Sequence, residues 1–392
     1  MLIFLTIAGV IAVLIWVYFL LAHGSFWQVG RLIAARTRNE VAGKIAVIVP
    51  ARDEGQIIAR SITSLLNQTC SSLIHIFLVD DGSTDDTAQI ARRAARQVGK
   101  SSALTIIEGW PPPAGWSGKL WALQQGFQKA QEPAPRFFLF TDADIEHDPA
   151  SIATLVSIAE SGAYDLASYM VKLHCGTFAE RLLIPAFVFF FFKIYPPAWV
   201  SDPQRQTAGA AGGCILIRPE ALHSAGGIEA IRSEIIDDCA LAQTVKFHGG
   251  RTWLGLTELA SSIRPYGTFA GIGRMISRSA FSQLNHSAVM LLLALFGLIA
   301  TYLLPSILVF TGRPLLTAFG AAAWLLMIVS YLPMVRFYRL NPLWTLVLPA
   351  SAIFYMGATI HSAIKYWSGR GGEWKGRVQD PGKIGSSVNR VR

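Results

Sequence analysis

Four long apolar runs bracket a stretch of ordinary globular composition, and this pattern restricts the fold more than any other feature. Residues 2–22 form the first run, and the others lie near 288–311, 314–335 and 341–364. Each can cross a hydrocarbon core of ~30 Å, which takes about 20 helical residues. The about 260 residues between the first two runs are ample for a substantial core. The chain therefore reads as a transmembrane anchor at 1–23, a large domain at 40–287, a membrane region at 288–366 and a basic tail at 367–392. No basic residue precedes the first run, which is too long for a cleaved signal. Arg31, Arg36, Arg38 and Lys44 follow it, so it predicts an inner- or plasma-membrane protein with the large domain cytoplasmic.

The number of C-terminal spans stays open. Three full spans would put Lys365, Arg370, Lys375, Arg377, Lys383, Arg390 and Arg392 outside, against the positive-inside tendency. Pro305, Pro333, Pro342 or Pro349 could break one run into a re-entrant segment. Net charge is +9, with basic residues clustered beside apolar runs. That suits anionic membrane lipids; without basic residues interleaved with exposed aromatics, nucleic acid is not an expected partner. Cys70, Cys175, Cys214 and Cys239 are widely spaced and read as reduced thiols. The eight histidines show no spacing that gathers them at a metal.

Within the large domain, Ile45–Val49, Ile74–Val79, Leu104–Ile107 and Phe137–Phe140 read as buried strands. Helical periods separate them: Ile57 to Leu66, Ala88 to Val98 with Ser83 or Thr84 as N-cap, and Gly118 to Ala130. This alternation predicts an α/β fold with a mostly parallel sheet covered on both faces. Ligands of such sheets bind beyond the carboxyl ends of the strands. Pro50–Glu54, Asp80–Asp81 and Asp142–Asp144 each begin where a strand ends, so three polar segments converge on one rim. An Asp-x-Asp pair at a strand end suits a hard divalent cation held against a diphosphate, which makes Asp144 and Asp142 candidate ligands for Mg²⁺ or Mn²⁺. The Trp110–Gly118 loop reads either as a lid over a ligand or as a rigid connector.

Several segments resemble family-2 nucleotide-sugar glycosyltransferases of the inverting, A-type, Rossmann-like fold. They are Val49-Pro50-Ala51-Arg52-Asp53-Glu54, Val79 to Asp85, Gly118-Lys119 with Ala122, Leu123 and Gly126, Thr141-Asp142-Ala143-Asp144, Gly212 to Ile217 with Gly226-Gly227, and Ile236-Asp237-Asp238-Cys239-Ala240-Leu241-Ala242. Within that family, Pro113 to Trp121, Ile184 to Phe191, Ile236 to Ala242 and Trp253 to Thr257 are similar to the hopene-associated glycosyltransferases of hopanoid biosynthesis. The family's Glu-Asp pair is Asp237-Asp238 here, and the Gln-x-x-Arg-Trp motif of processive synthases is absent.

The resemblance implies a non-processive, metal-assisted transfer of sugar from a nucleotide-sugar donor, a UDP-sugar by expectation, onto a hopanoid or related lipid acceptor. Asp238 would be the general base, and its apolar neighbours would raise its proton affinity. Pro50, Ala51 and Glu54 would line the nucleoside pocket. Asp80 or Asp81 would meet the base, although an Asx-turn onto Gly82 and Ser83 could claim one of them. Lys119 would face the diphosphate or be merely solvated. Gly212, Gly213 and Asp237 belong to the acceptor side. Leu182 to Val200, with Phe189, Lys193 and Trp199, reads as too short for a span and broken by Pro185, Pro196 and Pro197. It is expected to dock the lipid at the membrane interface, the alternative being a buried helix. Two other functions share these features: a polyprenyl-phosphate glycosyltransferase and, in a different class, a catalytically silent membrane scaffold or small transporter.

Overall fold

A computed structural model describes residues 1–35, 41–132, 134–369, 371, 373–374 and 377–378. Of the basic residues in the topology reading, Arg36, Arg38, Arg370, Lys375, Lys383, Arg390 and Arg392 lie outside the described residues. The chain forms two compact units, each assembled from separate stretches.

One unit contains Leu32–His174 and Trp199–Pro265 and is built on an eight-stranded sheet. Its strands are β1 Ile45–Ala51, β2 Ile74–Asp80, β3 Leu104–Glu108, β4 Phe137–Thr141, β5 Ile145–His147, β6 Leu166–Lys172, β7 Cys214–Ile217 and β8 Thr252–Ser262. Their order across the sheet is β3-β2-β1-β4-β7-β6-β8-β5. The strands read from the sequence are parallel neighbours, as expected. Alternate residues of β1 serve opposite layers. Ile45, Val47 and Val49 pack with the helices Ile58–Leu66 and Thr87–Gln97, while Ala46 and Ile48 pack with Gly118–Ala130. That two-sided burial is why the strand is a continuous apolar run. Gly126 lets its helix close on the sheet, since a Cβ there would stand 2.6 Å from Ile48 Cγ2 and 2.9 Å from Val79 Cγ2.

The second half of the sheet is mixed. β7 runs antiparallel to β4 and β6, and β5 antiparallel to β8; β6 and β8 are parallel. Between β6 and β7 the chain leaves this unit and returns. A further correction concerns Ser83 and Thr84. The second helix begins at Thr87, with Asp85 accepting from its N–H at 3.0 Å; Ser83 and Thr84 bond Asp53 instead.

The other unit holds the apolar helices. Five helical stretches among the described residues are long and apolar enough to cross a membrane: Leu2–Leu21, Phe178–Ser201, Ala288–Val309, Pro314–Phe337 and Pro342–Trp367. The sequence reading had four. Helix continues through Pro185 from Phe178 to Ile194, and only Pro196-Pro197 interrupts it before a short helix at Pro197–Ser201. Pro333 also sits within an unbroken helix. Pro305 has a larger effect. It has no N–H to give to the Thr301 carbonyl four residues earlier, and the helix widens to a π turn at Ile299–Leu303. The buried Trp16 indole donates to that carbonyl at 2.9 Å.

Phe189, Phe190 and Phe192 are buried within this unit. Phe189 packs on Phe26 and Tyr331, and Phe190 on Tyr302 and Tyr355. Phe189 is therefore a core residue and not an aromatic offered to a lipid; the helix turns these rings toward its neighbours because that buries the most apolar surface. Leu2, Phe4, Leu292, Phe296 and Phe310 remain exposed, forming a surface suited to hydrocarbon rather than water.

Glu180 fastens this unit. It is fully buried; Oε2 accepts from Gly176 and Thr177 N–H at 2.8 and 2.9 Å, and Oε1 from Tyr266 and Gly267 N–H at 2.8 and 2.9 Å. A carboxylate can accept from all four donors, whereas the amide nitrogen of glutamine cannot. Glu180→Gln is expected to cost about 1–3 kcal/mol for each N–H left unsatisfied, seen as a lower melting temperature of the detergent-solubilised protein.

Candidate active site

Sheet order reverses its direction of growth between β1 and β4, and at such a switch point the loops beyond the strand ends diverge to leave a crevice. A cleft of about 380 Å³, counting its open mouth, lies here. It is lined by Pro50 near the end of β1, Thr141 at the end of β4 and Asp142 just after it, Lys119, Gly212, Asp237 and Asp238, with Leu120, Leu123, Ile215 and Leu241 as apolar walls.

Lys119 enters from the first turn of its helix, whose N-cap Ser117 accepts from Leu120 N–H. Its Nζ is 3.1 Å from Asp142 Oδ1 and 3.1 Å from Asp237 Oδ2, and the side chain is only 14% exposed. The expectation of a merely solvated lysine is thereby excluded. Asp237 and Asp238 open the helix Asp237–Phe247, where unpaired backbone N–H groups favour negative charge. Asp238 Oδ2 accepts from Gly212 N–H at 2.7 Å, and Oδ1 from Cys239 N–H at 2.8 Å. Burial, then the neighbouring Asp237 charge, pushes the Asp238 carboxyl up to about 6; Lys119 and the two N–H donors oppose the rise. Gly212 leaves room at the centre, since a Cβ there would be 3.3 Å from Lys119 Nζ and 3.4 Å from Asp238 Oδ2.

A buried polar chain supports the floor. Thr141 Oγ1 donates to the Gly213 carbonyl at 2.8 Å and meets His147 Nε2 at 3.1 Å, while His147 Nδ1 lies 3.2 Å from Ser151 Oγ. Burial lowers His147 to about 4, so it stays neutral at neutral pH and can donate and accept at once. Lys246 donates to the carbonyls of Trp199, Val200 and Thr207 at 3.2, 2.7 and 2.8 Å, tying the segment that leads to Gly212 onto the Asp238 helix. Half-buried Trp199 also lies under the Arg205 guanidinium, 4.6 Å from its ring centroid.

The remaining candidates lie along the same strand ends but do not line the cleft. Ala51 is buried in β1, with its carbonyl accepting from Asp81 N–H at 2.9 Å. Asp80 Oδ1 accepts from the N–H of Ser83, three residues on, at 2.9 Å, and Gly82 supplies the left-handed φ of +66°. Asp81 is 2% exposed, with Oδ2 3.6 Å from Arg52 Nη1. Glu54 is buried and ion-paired with Arg264; Asp144 Oδ2 accepts from Ser262 Oγ at 2.9 Å and from Arg264 Nε at 3.3 Å. Arg264, two residues beyond β8, escaped the sequence reading. The Trp110 loop is held by Gln125 Oε1 on Trp110 N–H and by Trp121 Nε1 on the Trp110 carbonyl, with the Trp110 side chain exposed.

The donor chemistry fits a hard divalent cation. Asp142 and Asp144 are two carboxylates on one turn, and the described residues hold no group of three His, Cys, Asp or Glu that could bind a metal. Two carboxylates alone do not fill the shell of such a cation, so phosphate and water would have to complete it, which is how Mg²⁺ commonly binds.

The model of the family Glycosyl transferase family 2 matches residues 46–225. This stretch is a family-2 glycosyl transferase domain. The fold of the chain is similar to that of a mannosyltransferase from Pyrobaculum calidifontis solved with GDP-Man and Mn²⁺, with a TM-score of 0.53 at 17% identity over 92% of this chain and 97% of that one. Among curated relatives, an undecaprenyl-phosphate 4-deoxy-4-formamido-L-arabinose transferase of Pseudomonas syringae is 32% identical over 128 residues, 31% of this chain and 34% of the relative. A 4,4'-diaponeurosporenoate glycosyltransferase of Staphylococcus aureus is 25% identical over 217 residues, 53% of each. The chain thus spans a third to about half the length of the curated relatives it matches. The glycosyl transferase domain model ends before Asp237 and Asp238, so both lie beyond the matched stretch although they share the cleft with Asp142.

Proposed function

We propose that this chain is a membrane-bound, inverting glycosyltransferase that moves a sugar from a nucleotide-sugar donor to a lipid hydroxyl. The observation that carries this reading is the meeting of Asp142, Lys119 and Asp238 in one cleft beside the sheet's switch point. Asp238 accepts the proton of the acceptor hydroxyl as its oxygen bonds to the anomeric carbon; the bond from that carbon to the diphosphate breaks on the opposite side. Lys119 faces the departing diphosphate and moderates the charge of Asp142 and Asp237. Asp142 and Asp144 would hold Mg²⁺ or Mn²⁺, which when bound neutralises charge developing on the leaving group. Pro50 walls the donor side, Asp80 and Asp81 sit where a nucleoside would extend, and Gly212 and Gly213 shape the acceptor side.

Five apolar helices and the lipid names of the relatives support a lipid acceptor held at a membrane. Our reading sets the domain on the cytoplasmic side of the inner membrane, with residues 2–21 as anchor, and takes a hopanoid as acceptor and a UDP-sugar as donor. A polyprenyl phosphate is the second reading, favoured by the undecaprenyl-phosphate relative. The raised proton affinity of Asp238 favours the hydroxyl, because a phosphate acceptor is already anionic and needs no base.

The test is turnover of radiolabelled nucleotide sugars by solubilised protein with hopanoid, undecaprenyl phosphate or membrane lipid extract, followed by mass analysis of the product. No labelled lipid from any pair would end the proposal. A pH series adds a sharper requirement. Below about 6 the Asp238 carboxyl holds its proton and cannot accept another, so kcat/KM should fall about tenfold per pH unit there and level off above. A flat profile between pH 5 and pH 7 would remove Asp238 as the base.

A further inference from the structure

Asp144, one of the two carboxylates assigned to the cation, already has a cation. Arg264 Nε lies 3.3 Å from Asp144 Oδ2, and its Nη2 pairs with Glu54 Oε2. The grip extends to the backbone, where Ile263 N–H donates to the Asp144 carbonyl at 2.9 Å, and to Ser262, whose Oγ donates to the same Oδ2 at 2.9 Å. Glu54 and Asp144 are 8% and 15% exposed at their side chains, Arg264 35%. Two carboxylates this sheltered require a neutralising charge, and a side chain supplies it.

We propose that Arg264 is a tethered counter-ion standing in for the divalent cation at Asp144, so that the cation and the donor diphosphate must arrive together. Rested on the reading of Asp142 and Asp144 as the cation-bearing pair, this adds a condition on loading that the pair alone would not impose. A metal ion arriving by itself must draw Asp144 Oδ2 away from the guanidinium and leave Arg264 only Glu54. A diphosphate changes the balance. It offers the guanidinium fork oxygens at the spacing the fork matches, while its other oxygens complete the shell of the cation. Arg264 lies outside β8, which ends at Ser262, so the exchange is a swing of the side chain and needs no rearrangement of that strand.

The experiment is Mn²⁺ titration of the solubilised full-length chain, free Mn²⁺ being counted by its electron paramagnetic resonance signal, with and without UDP or GDP. Wild type should bind Mn²⁺ weakly alone and much more tightly with nucleotide. Arg264→Gln should bind Mn²⁺ alone about tenfold more tightly than wild type, the worth of one charge-assisted pair. Ser262→Ala removes a neutral donor from the same oxygen and should change that affinity by less than about twofold. Should Arg264→Gln fail to fold, Arg264→Lys carries the test, because a point charge cannot span both carboxylates and should give a smaller tightening. Unchanged or weaker Mn²⁺ binding in a folded Arg264 variant, or equal tightening by Ser262→Ala, overturns the proposal. Absence of Mn²⁺ binding in every protein even with both nucleotides overturns instead the assignment of Asp142 and Asp144, and the exchange with it.

Discussion

Asp238→Asn is expected to bind donor as the wild type does and to lose transfer by about 10²–10⁴-fold, the range ascribed to a general base. The substitution keeps the volume of the side chain, and its amide oxygen can still accept from Gly212 N–H, the shorter of the two bonds at 2.7 Å. The amide nitrogen then confronts Cys239 N–H, which loses its acceptor at a cost of about 1–3 kcal/mol. The loss of stability is thus modest, and the loss of proton affinity complete. Nucleotide-sugar binding by calorimetry and product formation by mass analysis separate the two effects. Retained transfer to undecaprenyl phosphate by a variant inactive toward alcohols would show the base to be needed for hydroxyls alone. Full activity toward every acceptor would remove Asp238 from the chemistry.

Lys119→Met should have the second largest effect, and it acts on two observables. The lysine is 3.1 Å from carboxylates of both Asp142 and Asp237, and Asp238 follows directly. Its removal leaves three acids around Gly212 without the ammonium that bridges two of them. Breaking a buried pair costs ~3–5 kcal/mol; Asp142 is 35% exposed and solvent screens part of the field, so about 2–3 kcal/mol is expected here. Lys119 also opposes the rise in Asp238 proton affinity, so the inflection in kcat/KM should move above its wild-type position near 6. Lys119→Arg should retain most of the stability and leave the inflection near its original place. Equal melting temperatures and coincident pH profiles for Lys119→Met and wild type would show that the pair is not coupled to the base.

The parallel half of the sheet was legible because helical periods separate β1 to β4, and β1, β2 and β4 each run into a polar segment, so local pattern suffices. The mixed half was not: β7 is four residues long, and its partners β4 and β6 are separated from it by an excursion into another unit. Asp142 and Asp238 were legible as carboxylates at element ends. Their bridge, Lys119, left two readings open because a lysine at a helix start has the same spelling whether solvated or buried. Arg264 carried no local signal at all. Its partners Glu54 and Asp144 are 210 and 120 residues away, and only the fold brings β8 beside them. The aromatic run at Phe189–Phe192 misled because rings flanked by a lysine spell an interfacial belt and a crowded interior alike; Tyr302, Tyr331 and Tyr355, which decide the matter, come more than a hundred residues later.

That last spacing sets an order of assembly during synthesis. When the ribosome has released Pro265, Phe189 and Phe190 have been made but Tyr302, Tyr331 and Tyr355 have not, and Glu180 still lacks the Tyr266 and Gly267 N–H groups that saturate it. The nascent Phe178–Ile194 helix must wait, sheltered by lipid or by a chaperone, until the chain through Tyr355 emerges to supply these partners.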